Sequence, residues 1–370
     1  MKIITKLKEI ASYAKGSQIN GDDLIGNGKY DYLNGGIHPS GKWHEYNTPG
    51  ETVTISEGGN SCGYVNYMDK PFWCGAHCYY LYNTVQNVRY LYYALKSQQD
   101  RLMRIRSGAC MPNIKKADLG AFELYFDTDE GQQQRIVSIL QKAERVIAAR
   151  QHELKKLDDL IKARFVEMFG DPATNPLNWI ETTVGKECYY IKDGPHKSLP
   201  DIGVENGGHP FISVRNIVNR VIDFSTARYI SDVDYVEARK KCRPEKGDML
   251  YSKGGTTGIA KLIDVDIEFA NWVHLAVLKF DHDLLDGIFF ENMLNSEYCY
   301  DQSQKLTKGI ANRDLVLSAM AQIKMFRPPM KLQKQFAAFV TQVDKSKVVV
   351  QKALDEAQLL FDSLMQQYFE

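Results

Sequence analysis

The chain has 370 residues, 44% of them hydrophobic, which suffices for two domains of ordinary size, each with its own core. Its 46 basic and 46 acidic side chains leave a formal net charge of zero, which excludes a simple electrostatic binder of nucleic acid, so any anion-binding surface must come from local clustering. No apolar run approaches the length needed to cross a bilayer and the start, MKIITKLKEI, lacks the apolar core of a signal peptide; the expected compartment is the cytosol.

Residues 1–127 mix short aromatic and β-branched runs with glycine turns, as in TVTISEGGNSCGYVNYM and HCYYLY, which predicts an irregular sheet domain. One helical stretch, VRYLYYALKSQQDRLMRI, follows, and AFELYF is the predicted closing strand. Residues 132–169 then form a long helix, stopped by Gly170, Asp171 and Pro172. Ile136, Ile139, Leu140, Val146, Ile147, Leu154, Leu157 and Ile161 recur at steps of three and four along one stripe of a rod roughly 55 Å long. A second sheet-rich region runs to Pro328 and Pro329, and a second long helix follows over 331–369 with Phe336, Phe339, Val340, Val350, Leu354 and Phe361 on its stripe. Pairing the two helices antiparallel as a coiled coil buries both stripes; the alternative is that each helix packs on its own domain.

The second helix repeats the first. QQRIVSIL, from Gln133, lies in register with QKQFAAFV, from Gln333, and the same offset of 200 persists without a gap to Phe169 and Phe369. The globular regions match more loosely but in the same order. TISEGGNSCGYVNY resembles LYSKGGTTGIAKLI, placing Ser56, Gly58 and Gly59 against Ser252, Gly254 and Gly255. His77 and His274 each follow a phenylalanine, Phe72 and Phe269, by five residues, and Ser107-Gly108-Ala109 falls near Lys308-Gly309-Ile310. The duplicated unit is therefore a globular domain plus a helix, an α+β architecture of two similar globular domains separated by two long helices.

Catalytic motifs are missing. GIHPSGK at 36–42 has phosphate-loop spacing, but Trp43 stands where a magnesium-binding hydroxyl is needed and no helix follows; it reads as an exposed turn with Lys42 and Trp43 free to meet a partner. No HExxH occurs, no GxGxxG follows a strand, and neither NPLN at Asn175 nor RPPM at Arg327 supplies the Asn- or Asp-Pro-Pro-aromatic motif of DNA amino-methyltransferases. His77 and His274 read as core or interface residues. Cys62, Cys74, Cys78, Cys110, Cys188, Cys242 and Cys299 are odd in number and scattered, the pattern of reduced thiols. Cys74, His77 and Cys78 lack the second pair that a structural zinc site requires, so no metal is expected. The chain reads as a recognition protein, with the chemistry elsewhere.

Globular region, long helix, globular region, long helix resembles the specificity subunit of type I restriction-modification enzymes. The likeness is carried by QQQRIVSILQKAERVI, LQKQFAAFVTQVDKSK, FVEMFGDP and KGDMLYSKGGTTG, and covers essentially the whole chain. It implies that each domain reads one half of a split target in double-stranded DNA. It also implies two modification methyltransferase subunits, which bring S-adenosylmethionine and methylate adenine, and a restriction endonuclease subunit that uses ATP and Mg; this chain would bind no cofactor and carry no catalytic residue. One departure is AFELYFDTDEGQQQ, which lacks the proline-rich lead-in of RPPMKLQKQ, so the first junction is expected to differ in shape.

Phosphate contacts supply affinity and side chains at base edges supply sequence choice. The candidates for the DNA face are the polar glycine turns and nearby basic residues: Ser56, Asn60, Arg104, Arg106, Lys115 and Lys116, then Lys253, Thr256, Thr257, Lys305, Lys308 and Arg313, with Lys42, Trp43, Lys197 and Arg215 behind them. Hairpin turns without a ligand are the alternative for both Gly-Gly pairs. The alternative for the whole chain is a stand-alone DNA-binding or scaffolding protein that self-associates through its coiled coil.

Overall fold

The computed structural model describes residues 2–108, 112–310 and 312–369; Ala109 and Cys110 of the sequence reading lie outside them. The chain divides into two compact units, Met1–Glu153 with Val350–Glu370, and Leu154–Val349. Both long helices, Glu130–Phe169 and Met330–Phe369, therefore contribute to both units.

The two units are built from the same strands in the same order. In the first, a four-stranded antiparallel sheet runs Ser12–Lys15, Cys78–Tyr82, Thr52–Ser56, Val65–Met68; in the second the order is Cys188–Asp193, Leu275–Phe280, Met249–Ser252, Ala260–Leu262. Thr52–Ser56 and Met249–Ser252 are buried at every residue, so each is covered on both faces. A three-stranded sheet accompanies each: Gly41–Trp43, Tyr30–Leu33, Phe72–Cys74 in one, and Arg228–Ile230, His209–Ile212, Ala270–Asn271 in the other, with the last pair parallel both times. A ribbon of Lys2–Lys6 with Glu123–Asp127, or of Ile180–Thr183 with Lys324–Arg327, leads into the long helix.

Two local expectations are corrected. Residues 37–40 are exposed as expected, but Gly41–Trp43 is a strand paired with Tyr30–Leu33, across which the rings of Trp43 and Trp73 meet edge to face, 6.3 Å apart. The predicted single helix after the strands is two, Val88–Ser97 and Gln99–Arg104, broken at Gln98, whose buried side chain donates to the carbonyl of Phe369 at 3.2 Å.

Within the first unit the start of the first long helix meets the end of the second: Ile136, Val137 and Leu140 share a core with Phe361, Met365 and Phe369. Within the second unit the relation is reversed, and Ile161, Phe165 and Phe169 share a core with Phe336, Val340 and Val343. The helices thus pair antiparallel in each unit. Lys347 donates to Asp158 at 2.8 Å across the pair, and Phe165 and Phe169 meet Phe336 at 5.4 and 5.5 Å between ring centres. The apolar stripes serve both expected purposes at once, since the same clusters hold domain residues such as Tyr90 and Leu124, or Phe289 and Phe326. Ile139, Ile147, Leu154, Leu157, Phe339 and Leu354 are half-buried along the pair, while Val350 is buried. Val146, 47% exposed, lies at the edge of the pair, where it lines a groove with Ala357, Leu360 and Leu364 of the other helix.

Each helix is fixed to its domain by one glutamine. Gln133 has no exposure; its amide donates to the carbonyl of Asp127 at 2.5 Å, and its oxygen accepts from the N–H of Asn87 at 3.1 Å. Gln333, equally buried, donates to Pro328 at 2.8 Å and accepts from Asp286 at 2.8 Å. Asn87 and Asp286 are the N-caps of the domain helices Val88–Ser97 and Gly287–Leu294. The expected difference in junction shape is therefore not found: Asp129 caps the first long helix, through its side chain to Gln132 N–H at 2.9 Å, and the same glutamine clamp follows. Among the described residues no helix is long and apolar enough to cross a membrane. Gln333→Leu should strand the Asp286 amide and Pro328 carbonyl and lower stability by about 1–3 kcal/mol for each group left unpaired. An unchanged urea midpoint would show that the clamp adds nothing.

Candidate nucleic-acid interface

The candidate residues come together at one end of each four-stranded sheet. In the first unit the loop after Ser56 lies against the segment that follows Arg106: Gly58 and Ser107 both bridge to Asn113, and Gly59 N–H donates to Pro112 at 3.0 Å. In the second, Gly254 and Lys308 both bridge to Asp314, and Gly255 N–H donates to Arg313 at 3.0 Å. Gly59 and Gly255 have positive φ, 74° and 68°, with open space where a side chain would stand, so the backbone here can approach a ligand closely. The loops are thus more than hairpin turns: each is tied to a second loop from a distant part of its domain.

Asn60, Arg104, Arg106, Lys115 and Lys116 are exposed around the first loop pair, and Thr256, Lys305, Lys308 and Arg313 around the second. Arg104 and Lys305 lie in the last turns of the helices Gln99–Arg104 and Glu297–Leu306, and Arg313 donates to Gln304. Three candidates are corrected. Ser56 and Thr257 are 3% and 1% exposed, and their hydroxyls are spent on Gly35 and Ser61, and on Thr307 at 3.0 Å. Lys253, 5% exposed, turns inward to Asp314 at 2.8 Å and Asp193 at 3.6 Å.

The histidines are not core residues. His77 leaves 64% of its side chain exposed, its Nδ1 3.5 Å from Glu57; His274 is half-buried beneath Gly254, its ring tilted at 46° against that of Trp272 with the centres 4.6 Å apart. They stand in the turns before the strands Cys78–Tyr82 and Leu275–Phe280. Cys74 and Cys78 are buried with their thiols directed at carbonyls. The hydrogen bond with the Cys78 thiol, and then burial, push the Cys74 thiol far up, and no group of three or more His, Cys, Asp or Glu side chains is placed to hold a metal ion among the described residues.

Sequence reasoning missed two features. Ser213, Arg215, Arg228 and Trp272 line a pocket of about 220 Å³ beside the second loop pair, with the Arg228 guanidinium 6.0 Å from the Trp272 ring. Only Arg215 had a signal, as an isolated cation; Arg228 and Trp272 are brought in by the three-stranded sheet. The second feature is a buried charge directly after each strand, Glu57 and Lys253. Aligning ISEGG with YSKGG shows it in the sequence, as a reversal of sign.

Burial pushes the Glu57 pKa up, but hydrogen bonds from Lys15 and Asn113, the latter at 3.1 Å, and the charges of Lys15 and His77 outweigh it and hold the carboxyl below its ordinary range. Asp193 is held low in the same way, burial being outweighed by Lys241 at 2.8 Å and by the charges of Lys241, Lys253 and His196. Burial lowers the His274 pKa, and the Lys253 charge lowers it further.

Residues 3–158 and 199–357 match the type I restriction modification DNA specificity domain. The chain belongs to that family. A putative type I specificity subunit of Mycoplasma genitalium is 36% identical over 129 residues, covering 34% of this chain and 33% of that protein. One from Mycoplasma pneumoniae is 41% identical over 110 residues, 28% of each. The matched stretches thus span about a third or less of these curated relatives. The fold is that of the type I S subunit crystal structure from M. genitalium, with a TM-score of 0.62 at 20% identity over 100% of this chain and 96% of that one. A chain from a structure describing complex assembly and conformational transition of the type I R-M system gives 0.52 at 14% identity over 99% and 97%.

In this specificity chain the depressed carboxyl of Glu57 makes the first loop pair acid-sensitive. Its contribution is full above the ordinary glutamate value of 4.5 and is lost as pH falls through the lower folded value. From about pH 6 to about pH 3 the melting temperature should fall more steeply for wild type than for Glu57→Gln; parallel curves would show that the ionised form is not preferred.

Proposed function

We propose that the chain is the sequence-reading subunit of a type I restriction-modification complex, and that its two domains read the two halves of a bipartite DNA target. The observation that carries this reading is that one scaffold bears two loop pairs with different side chains: Ser107 and Asn113 stand where Lys308 and Asp314 stand in the second unit, on identical strand orders. A common scaffold with substituted loops is what two readers of unlike half-sites need. Arg215, Arg228 and Trp272 extend the second reader's face. Helix length sets the number of base pairs between the halves, in steps governed by the roughly 34 Å repeat of the duplex.

On this reading the chain does no covalent chemistry. Two modification methyltransferase subunits, one for each copy of the repeated unit, supply S-adenosylmethionine, and a restriction subunit supplies ATP- and Mg-dependent cleavage. Leu160 and Leu360, at equivalent positions and 48% and 57% exposed, are apolar side chains available on each copy for such a partner.

Co-expressed with an adenine methyltransferase subunit, the chain should direct methylation to a split motif. Replacing residues 1–127 should change one half of that motif and replacing 179–329 the other. A contiguous motif, or both halves changing together, would overturn two independent readers; absence of methylation with intact methyltransferase subunits would favour a scaffold. Reversing Lys305 and Lys308 to glutamate should weaken DNA binding and reduce the slope of log affinity against log salt by roughly 2, without unfolding. Wild-type affinity in that variant would remove both lysines from the DNA face.

A further inference from the structure

Strand register makes two buried clusters equivalent, position by position. Ser56 faces Cys78 and Lys15 faces the next residue, Tyr79; Ser252 faces Leu275 and Asp193 faces the next residue, Ala276. Lys15 therefore corresponds to Asp193, and the residue after the central strand is Glu57 in one unit and Lys253 in the other. The third member also corresponds, since Asn113 and Asp314 each bridge to the first glycine of the loop.

Both charges of the first cluster are inverted in the second, where the carboxylate Asp314 takes the place of the neutral Asn113. Glu57 accepts from Lys15 and from Asn113; Lys253 donates to Asp314 and faces Asp193. Glu57 and Lys253 are each 5% exposed, so a mixed set would bury like charges or leave one unpaired. Their backbones are nodes as well. Glu57 donates to His77 at 2.9 Å and accepts from Ile114 at 2.9 Å; Lys253 donates to His274 at 2.8 Å and accepts from Leu315 at 2.7 Å. One residue thus ties together the glycine loop, the histidine turn and the pair Asn113 and Ile114, or Asp314 and Leu315.

We propose that Glu57 and Lys253 are positioning residues that hold the two reading loops of each domain in their recognition geometry, and that the inverted polarity makes each loop set compatible only with its own sheet. The proposal rests on the DNA-reading function and adds what sets the readers' shape. It also implies that loops can be exchanged between the two domains only together with the matching strand charge.

The test uses the full chain with Glu57→Lys, with the triple variant Lys15→Asp, Glu57→Lys, Asn113→Asp that recreates the second unit's arrangement, and with Glu57→Gln as the mild control. Hydrogen exchange at the Gly59 and Ile114 amides should rise about tenfold in Glu57→Lys while the second unit is unchanged, and return towards wild type in the triple variant. Selection from randomised duplexes should show about a tenfold loss of preference at one half-site only, again recovered in the triple variant. Wild-type exchange in Glu57→Lys, or a triple variant no better than the single, overturns the proposal. So does unchanged selectivity in a variant whose loops exchange faster, which would leave the cluster a stability element alone. A wild-type chain that selects no sequence removes the DNA-reading function itself, and the exchange measurement then still decides whether these charges hold the loops.

Discussion

A glutamine with no exposure, bonded to the chain on both sides, is the constraint on which each unit is built. Gln133 and Gln333 satisfy the amide of a helix cap and a carbonyl of the closing segment, groups that would otherwise be buried without partners. An amide side chain is the economical solution, since it offers a donor and an acceptor from one planar group. With that group in place the long helix leaves the domain in one direction only, and its apolar stripe is presented to the domain helix and to the other long helix together. Tyr90 against Phe369, and Phe289 against Phe169, with ring centres 5.2 and 5.0 Å apart, are the result.

Duplication has kept these frames and released the loops. The strand orders agree throughout, and both central strands are buried on both faces, so their side chains are constrained by packing from two sides. At the loop end the constraint is one of complementarity rather than identity: an anion ringed by donors and a cation ringed by carboxylates satisfy the same backbone. Either is stable when complete, because a buried charge with its partner and hydrogen bonds costs far less than one without.

The sequence repeat was plainest in the long helices for a physical reason. One inserted residue would rotate every following side chain by about 100° and turn the apolar stripe out of the seam, so the offset stays constant from Gln133 to Phe169. In the domains, insertions are absorbed by turns, and the offset drifts between Gly58 and Ser107, which is why the domain match looked weak while the topology is the same. Burial of the candidate side chains was not legible. Ser56 and Lys253 belong to polar turns in the sequence, but the alternation that carries them inward is set by a strand with both faces covered. Of the pocket of Arg215, Arg228 and Trp272 only Arg215 had a local signal, because the parallel pairing of His209–Ile212 with Ala270–Asn271 joins segments far apart in the chain.

The second unit is continuous in sequence, whereas the first is not: it needs Val350–Glu370 to complete Met1–Glu153. On the ribosome the first domain emerges with its Tyr90 and Leu140 face uncovered, and stays so until all of Leu154–Val349 has been made and Phe361, Met365 and Phe369 follow. Closing so long a loop is slow compared with local contacts, and an apolar face left open during synthesis invites association with other chains. The domain that is translated before the other is therefore completed after it, once Phe361, Met365 and Phe369 have emerged.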